Sequence, residues 1–318
     1  MNENKKDILI FILLILTFII WSNSFIAIKV LLGKMKAVDL VKLRFIPVGL
    51  ISTLLVLLFY RRQAWAILRE HPVRVLLNGL LSVIIYNLLL NSGMQYVKPN
   101  AASLLISLNP LITLLLAVKF LKEPLTRRRL VGTVITFFGL AVVVLLGRVG
   151  EGAGVWISLD KLPYALLVLG APVCWAVYTI ITKPALKKHS PVAFNFVSLA
   201  IGSLPLLFLV DRPFLTLVGT LNTAETVSWA FLSLACTLLA FGLWNIAVRN
   251  WPVSTVSLFV YLNPPLTAVF SYLFFGTGIT VFFFIGGSIM LSGILLATVQ
   301  SRKIKFLKQK YALNSSDS

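Results

Sequence analysis

Carboxylates are what this sequence has least of. Its 318 residues include 10 Asp plus Glu against 29 Lys plus Arg, and none of those acids falls near the middle of an apolar stretch. Both histidines, His71 and His189, lie between apolar stretches. The acid–base pair of a hydrolase and the buried carboxylate or imidazole of a proton relay are therefore missing, as is any local cluster with metal-ligand spacing. Cysteine is equally sparse. Cys174 and Cys236 sit inside apolar segments with no Cys-x-x-Cys or His-rich neighbourhood, and read as small buried hydrophobes. Charged residues make up 12% of the chain, about half of what a soluble domain carries. That scarcity excludes an ordinary water-soluble enzyme, and no catalytic residue, metal or cofactor is expected.

What fills the sequence instead is apolar, 58% of it, gathered in runs. The longest, at 8–32, 101–121, 130–146, 227–246, 253–275 and 279–299, match the roughly 20 residues that a hydrocarbon core requires. The expected fold is an all-α membrane protein with spans near 8–32, 39–59, 73–94, 99–121, 130–147, 162–182, 192–210, 227–247, 252–275 and 279–299. The first span carries Trp21-Ser22-Asn23-Ser24 in its middle and no small-x-small cleavage site, so it reads as a retained helix. With the N-terminus in the cytoplasm, 19 of the 29 basic residues fall in inside segments, six in outside segments and four within spans. That bias places both termini in the cytoplasm of a multi-pass plasma-membrane protein. It also accounts for the net charge of +19 without a nucleic-acid partner. The basic, apolar-interleaved tail at 300–318 is expected to meet anionic lipid headgroups. Gly150, Gly152 and Gly154 lack the Lys-Ser/Thr of a phosphate loop and read as a linker; Asn314-Ser315-Ser316 has the glycosylation pattern but faces the cytoplasm.

A repeat runs through the chain at a constant offset of 154. Trp21 and Lys29 match Trp175 and Lys183, Asn91 matches Asn245, Asn109-Pro110 matches Asn263-Pro264, Thr126 matches Thr280, and Gly132 and Gly139 match Gly286 and Gly293. Five helices per copy is an odd number, so the second copy must enter the membrane upside down. The first repeat then covers 8–147 and the second 162–299, related by a pseudo-two-fold axis in the membrane plane, an arrangement that serves alternating access.

Several of these stretches resemble the EamA-domain branch of the drug/metabolite transporter superfamily: Trp21 through Lys29 followed by Arg44, then Asn109-Pro110 followed by Phe120-Leu121-Lys122-Glu123-Pro124 and Gly132 to Gly139, with Trp175 to Lys183 and Leu262-Asn263-Pro264 to Gly276 in the second copy. The resemblance implies ten helices in two inverted five-helix repeats, and a central cavity lined mainly by the third, fourth, eighth and ninth helices with help from the first and sixth. It further implies transport of small solutes, often export of amino acids. One departure is visible: the acid ending the fourth helix is Glu123, but its counterpart is Thr277. Its expected role is to anchor the helix end with Lys122 and Arg127 to Arg129.

Polar groups inside hydrocarbon are costly and face a bundle interior or a wet cavity. The candidates for a solute site are Trp21, Asn23, Arg44, Tyr86, Asn87, Asn91, Asn109, Trp175, Tyr178, Asn245, Tyr261 and Asn263. Asn87 and Asn91 share one helix face, and Asn87, whose counterpart is Phe241, is the better ligand of the two. Asn91 and Asn245 equally suit helix-joining hydrogen bonds. Trp21 and Trp175 suit the floor of a cavity, Lys29 and Lys183 suit snorkelling to headgroups. Pro110, Pro264 and Pro265 interrupt the ladder and are hinge candidates. Arg44, with Asp39 five residues back, either binds a neighbouring helix or pairs with a solute carboxylate. The favoured function is outward transport of a small organic metabolite, an amino acid or related compound, by a monomer, with a dimer as the alternative assembly. The competing functions are a small-multidrug-like exporter of lipophilic cations and a non-transporting membrane scaffold.

Overall fold

The computed structural model describes residues 3–97, 99–146, 159–275 and 280–314. Lys98, the glycines at 150–154, Thr277 and residues 315–318 lie outside the described residues. Every regular element among those described is helical: α1 (Glu3–Leu32), α2 (Ala37–Glu70), α3 (Pro72–Met94), α4 (Pro99–Ile106), α5 (Asn109–Leu121), α6 (Arg127–Leu145), α7 (Leu162–Lys188), α8 (Pro191–Leu207), α9 (Arg212–Gly219), α10 (Thr223–Asn250), α11 (Val253–Ser257), α12 (Asn263–Phe275) and α13 (Val281–Asn314). Six helical units are long and apolar enough to cross a membrane, namely α1, α2, α3, α7, α10 and the α11–α12 unit. The α8–α9 pair, bent by 115°, makes a seventh candidate. Two shorter apolar helices, α5 and the Val281–Ala297 part of α13, accompany them.

The surface is apolar where a soluble protein would be polar. Leu58, Phe59, Leu115, Phe138 and Phe284 are each more than 60% exposed, while Asn78, Asn87, Thr237 and Asn245 are buried. Lipid rather than water must cover such a surface.

Helix limits follow local chemistry. Thr126 caps α6 by accepting from Arg129 N, Ser190 caps α8, Asp211 caps α9, and Asn222 with Glu225 forms a capping box on α10. Two helices outrun their expected spans. Instead of stopping at 59, α2 continues as Arg61–Glu70, which buries Ala64 and Ile67 and turns its charges outward, as an amphipathic turn at the membrane edge does. Beyond 299, α13 continues because no Gly or Pro lies between Gly293 and Asn314. The backbone widens into π-helical turns at Leu80–Ile85 in α3 and Phe231–Leu239 in α10, and these overlap at the 154 offset. Ahead of each Asn-Pro the ladder breaks, at residues 107–108 before α5 and as a 3-10 turn, Leu258–Leu262, before α12. Proline offers no N–H to the carbonyl four residues back, Ile106 and Val260 here.

Close packing depends on glycine at the α6–α13 crossing. A Cβ on Gly139 would lie 2.6 Å from Met290 N and 2.7 Å from Gly286 O, and one on Gly132 would lie 2.7 Å from Gly293 O. The two backbones therefore touch. Residues 154 apart touch in several places, among them the Trp21 and Trp175 rings, Gly49 and Ser203, and Thr136 Oγ1 donating to the carbonyl of Met290.

Candidate functional site

A cavity with an empty volume of about 580 Å³, its open mouth included, lies among α1, α2, α3, the α4–α5 break, α7, α10 and the α11–α12 break. On α1 it runs from Phe18 to Ile28 and on α3 over Tyr86 and Leu90, the C-terminal halves of both helices; on α2 it takes Arg44, near the N-terminus. The cavity therefore occupies the half of the bundle nearest the α1–α2 turn.

Rings make its floor. Trp21 and Trp175 meet edge to face with centroids 5.2 Å apart, Trp244 lies 5.6 Å from Trp21 and 5.8 Å from Trp175, and Phe241 and Tyr86 close on Trp175 at 5.2 and 5.3 Å. The Trp21 indole N–H is held by the carbonyl of Cys236 at 2.9 Å, which fixes the ring in the cavity wall.

Arg44 is the one cation on this wall among the described residues. Its Nε donates to Thr237 Oγ1 at 2.8 Å and its Nη1 to Asn87 Oδ1 at 3.3 Å, and it is 6% exposed. One anchor, Thr237, lies within a π-helical turn, and the other, Asn87, lies two residues beyond one. Each also reaches back to a carbonyl five residues earlier, Asn87 Nδ2 donating to Ser82 at 2.8 Å and Thr237 Oγ1 to Leu232 at 2.8 Å. The oxygens of the same two side chains then face Arg44. Both partners are neutral, and among the described residues no carboxylate pairs with the guanidinium. Asp39, the acid nearest in sequence, pairs instead with Lys42 at 2.7 Å.

The polar candidates divide into two groups. Trp21, Arg44, Tyr86, Asn109, Trp175 and Asn263 line the cavity. Asn109 is partly committed, donating to the carbonyl of Pro172 at 3.0 Å, whereas Asn263 Oδ1 is buried without a hydrogen-bond partner. The others do not line it. Asn87 holds Arg44, Asn23 donates to the carbonyl of Ile19, Tyr178 donates to Asn245 at 2.9 Å, and Asn245 reaches Asn195 at 3.3 Å and so ties α10 to α7 and α8. Asn91 and Tyr261 are buried apart from the cavity wall. Pro110 and Pro264 begin α5 and α12 beside the cavity asparagines, and Pro265 follows.

The opposite end of the bundle is tied shut. Lys122, with φ 53°, ends α5 in a left-handed turn and directs Glu123 onto the N-terminus of α11. There Glu123 accepts from Val253 N at 2.6 Å, Ser254 N at 3.2 Å and Ser254 Oγ at 2.5 Å. Arg129 completes the group, 3.7 Å from Glu123 and 3.2 Å from Ser254 Oγ, while Lys122, Arg127 and Arg128 stay exposed. Lys183 does not snorkel: its ammonium caps α10 through the carbonyls of Val248, Arg249 and Trp251, and Trp251 donates to Asp7 at 3.0 Å. Lys29 is exposed. At the same end, Glu70, His71 and His189 converge, a group that the 117 residues between the two histidines concealed in the sequence.

An apolar-faced helical bundle with a polar-lined cavity defines a multi-pass membrane protein, and known proteins tell its kind. The EamA-like transporter family matches twice, over 8–145 and 162–299, and the chain belongs to that family. It is 27% identical over 248 residues to a Bacillus subtilis protein described as the uncharacterized transporter YyaM, covering 77% of this chain and 79% of that one. It is 26% identical to an uncharacterized transporter of Archaeoglobus fulgidus, covering 90% of this chain and 97% of that one. A probable terminal-alkyne amino-acid exporter of Streptantibioticus cattleyicolor is 28% identical over 289 residues, covering 89% and 91%. A crystal structure superimposes with a TM-score of 0.71 over 92% of this chain and 97% of its own, at 20% identity, and shares the fold. The protein is thus a membrane transporter of the EamA family, and its cargo is a small molecule.

Proposed function

We propose that the protein exports an amino acid or a closely related small carboxylate across the plasma membrane by alternating access. The observation that carries this reading is Arg44. A guanidinium buried inside the bundle, held by two neutral side chains and facing a cavity, lacks the counter-charge that offsets its burial. A solute carboxylate supplies it. Asn263 Oδ1, on the same wall and without a partner, accepts from an ammonium, and the Trp21, Trp175 and Phe241 rings receive an apolar side chain. A lipophilic cation fits this wall poorly because Arg44 repels it, and a scaffold needs no such cavity.

The wider architecture we propose is ten spans in two inverted repeats, 8–147 and 162–299, with both termini and the basic tail at 300–318 in the cytoplasm, the tail against anionic lipid. A two-fold axis makes residues that lie on it touch their own counterparts. Trp21 with Trp175, Gly49 with Ser203 and Thr136 with Met290 support one, as does the exchange of Gly132–Gly293 for Gly139–Gly286. The positive-inside distribution supports the orientation. On it the cavity opens outward, the Glu123 group closes the cytoplasmic end, and the Pro110 and Pro264 breaks act as hinges between states. The protomer is proposed to act as a monomer.

Counterflow in proteoliposomes tests the cargo. Exchange of labelled apolar amino acids with little exchange of sugars or quaternary ammonium ions is expected. Movement of the ammonium ions without amino acids would refute the assignment.

A further inference from the structure

Two histidines occur in 318 residues, and the fold sets their rings against each other, centroids 5.4 Å apart at 83°. His71 is the single residue joining α2 to α3, and His189 ends α7 just before the Ser190 cap of α8. Glu70 stands beside them, its Oε2 3.5 Å from His189 Nε2. One ligand atom from each of the three residues can be chosen so that all lie within 4.8 Å of one another. Nε2 of His71 and of His189 is buried without a hydrogen-bond partner, and the His189 side chain is 10% exposed. Two unsatisfied ring nitrogens on adjoining rings need an explanation.

Holding the helix junctions together does not supply it. The offset of 154 places Glu225 and Met35 at the counterparts of His71 and His189, and there a simple Lys34–Glu225 ion pair at 2.9 Å makes the equivalent tie. The tie on this side has its own pair, Lys188 with Glu70 at 3.4 Å. The imidazoles are additional to both.

We infer that Glu70, His71 and His189 form a binding site for a zinc-type divalent metal that staples the α2–α3 junction to the α7–α8 junction. Two imidazole nitrogens and one carboxylate suit a borderline metal, with water in the fourth position of a tetrahedral site. They do not suit calcium or magnesium, which take oxygen ligands. Two cations must yield. Lys188, 68% exposed, releases the carboxylate, and the exposed Arg74, now 3.3 Å from His71 Nδ1, swings out as that nitrogen takes the ring proton and Nε2 turns to the metal. Competition from these neighbours sets the affinity below that of a structural zinc finger.

The test uses the full-length protein in detergent, stripped with a chelator and titrated with zinc chloride, with cobalt as a spectroscopic stand-in. One zinc per chain, a rise of several degrees in unfolding temperature, and cobalt ligand-field bands are expected. All three should be lost in His189→Gln and reduced in Glu70→Gln, while Lys188→Gln should bind several-fold tighter. Magnesium should give none of them. His71→Gln should lose them too, and if that variant does not fold, His189→Gln alone decides. Absence of zinc binding, or a shift that survives in His189→Gln, overturns the site.

Discussion

Replacing Arg44 by lysine keeps the charge and removes the geometry. Arginine here uses Nε on Thr237 and Nη1 on Asn87, which sets the plane of the guanidinium and leaves its remaining N–H groups for the cavity. A lysine ammonium is a single point: if it keeps one anchor it cannot also hold the other and present a fork to a carboxylate. The loss is one charge-assisted hydrogen bond, about 1.5–3 kcal/mol, or roughly ten- to hundredfold in apparent affinity. Arg44→Lys is therefore expected to raise the apparent Kd for carboxylated solutes by about that factor and to change handling of the matching amides by no more than about threefold. Competition binding in nanodiscs, with acid and amide of the same compound, measures the difference, and size-exclusion profiles report whether the variant is folded. Thr237→Val should give a smaller loss of the same kind, since Nη1 remains anchored. Equal weakening for acid and amide, or a variant that no longer folds, would show that Arg44 serves the bundle rather than the solute.

Glu123→Gln removes the charge from a carboxylate that takes three hydrogen bonds at the start of α11. The cavity is expected to spend more time open toward that end, read as increased labelling of a cysteine placed at Ser257 from the cytoplasmic side; unchanged labelling would reduce Glu123 to a helix cap. Gly139→Val forces apart α6 and α13, whose backbones leave 2.6–2.7 Å for the new atom, at a cost of ~1–3 kcal/mol for overpacking and a visibly lower unfolding temperature. A wild-type temperature would contradict the described crossing. Pro110→Ala and Pro264→Ala should each leave protein in the membrane and slow turnover, and wild-type exchange rates in both would dismiss the hinges. Cysteines at Lys187 and Thr220 should label from inside and outside respectively; the reverse pattern would invert the proposed orientation.

Much of the architecture is visible in the sequence because lipid imposes a simple rule: long apolar runs become helices, and basic residues collect between them. The Asn-Pro breaks and the packing glycines were legible for the same local reason, proline lacking an N–H and glycine lacking a Cβ. The π-helical turns were not, since nothing in Leu80–Ile85 or Phe231–Leu239 departs from an ordinary apolar helix. Thr237 consequently escaped notice as an anchor of Arg44, and Asn87 read as a solute ligand when its oxygen already faces that arginine. Distance along the chain hid the rest. Glu123 lies 131 residues from Ser254, so of its partners only Arg129, among the expected local cations Lys122 and Arg127 to Arg129, was within reach of the sequence. The apolar wall of the cavity, Phe18, Phe25, Leu90 and Ile106 among others, carries no sequence mark that separates it from lipid-facing leucine and phenylalanine.

The contact between Gly49 and Ser203 bears on how such a chain came to be asymmetric. A Cβ on Gly49 would collide with the Ser203 side chain, so the space between the two holds one side chain and not two. Two identical five-helix halves could fill it with neither or clash with both; a gap would cost dispersion energy and a collision would splay the helices. Joining the halves in one polypeptide lets each position change alone, and only then can the gap be filled from a single side. On the proposed axis, duplication followed by divergence is thus a packing solution that no symmetric ancestor could reach.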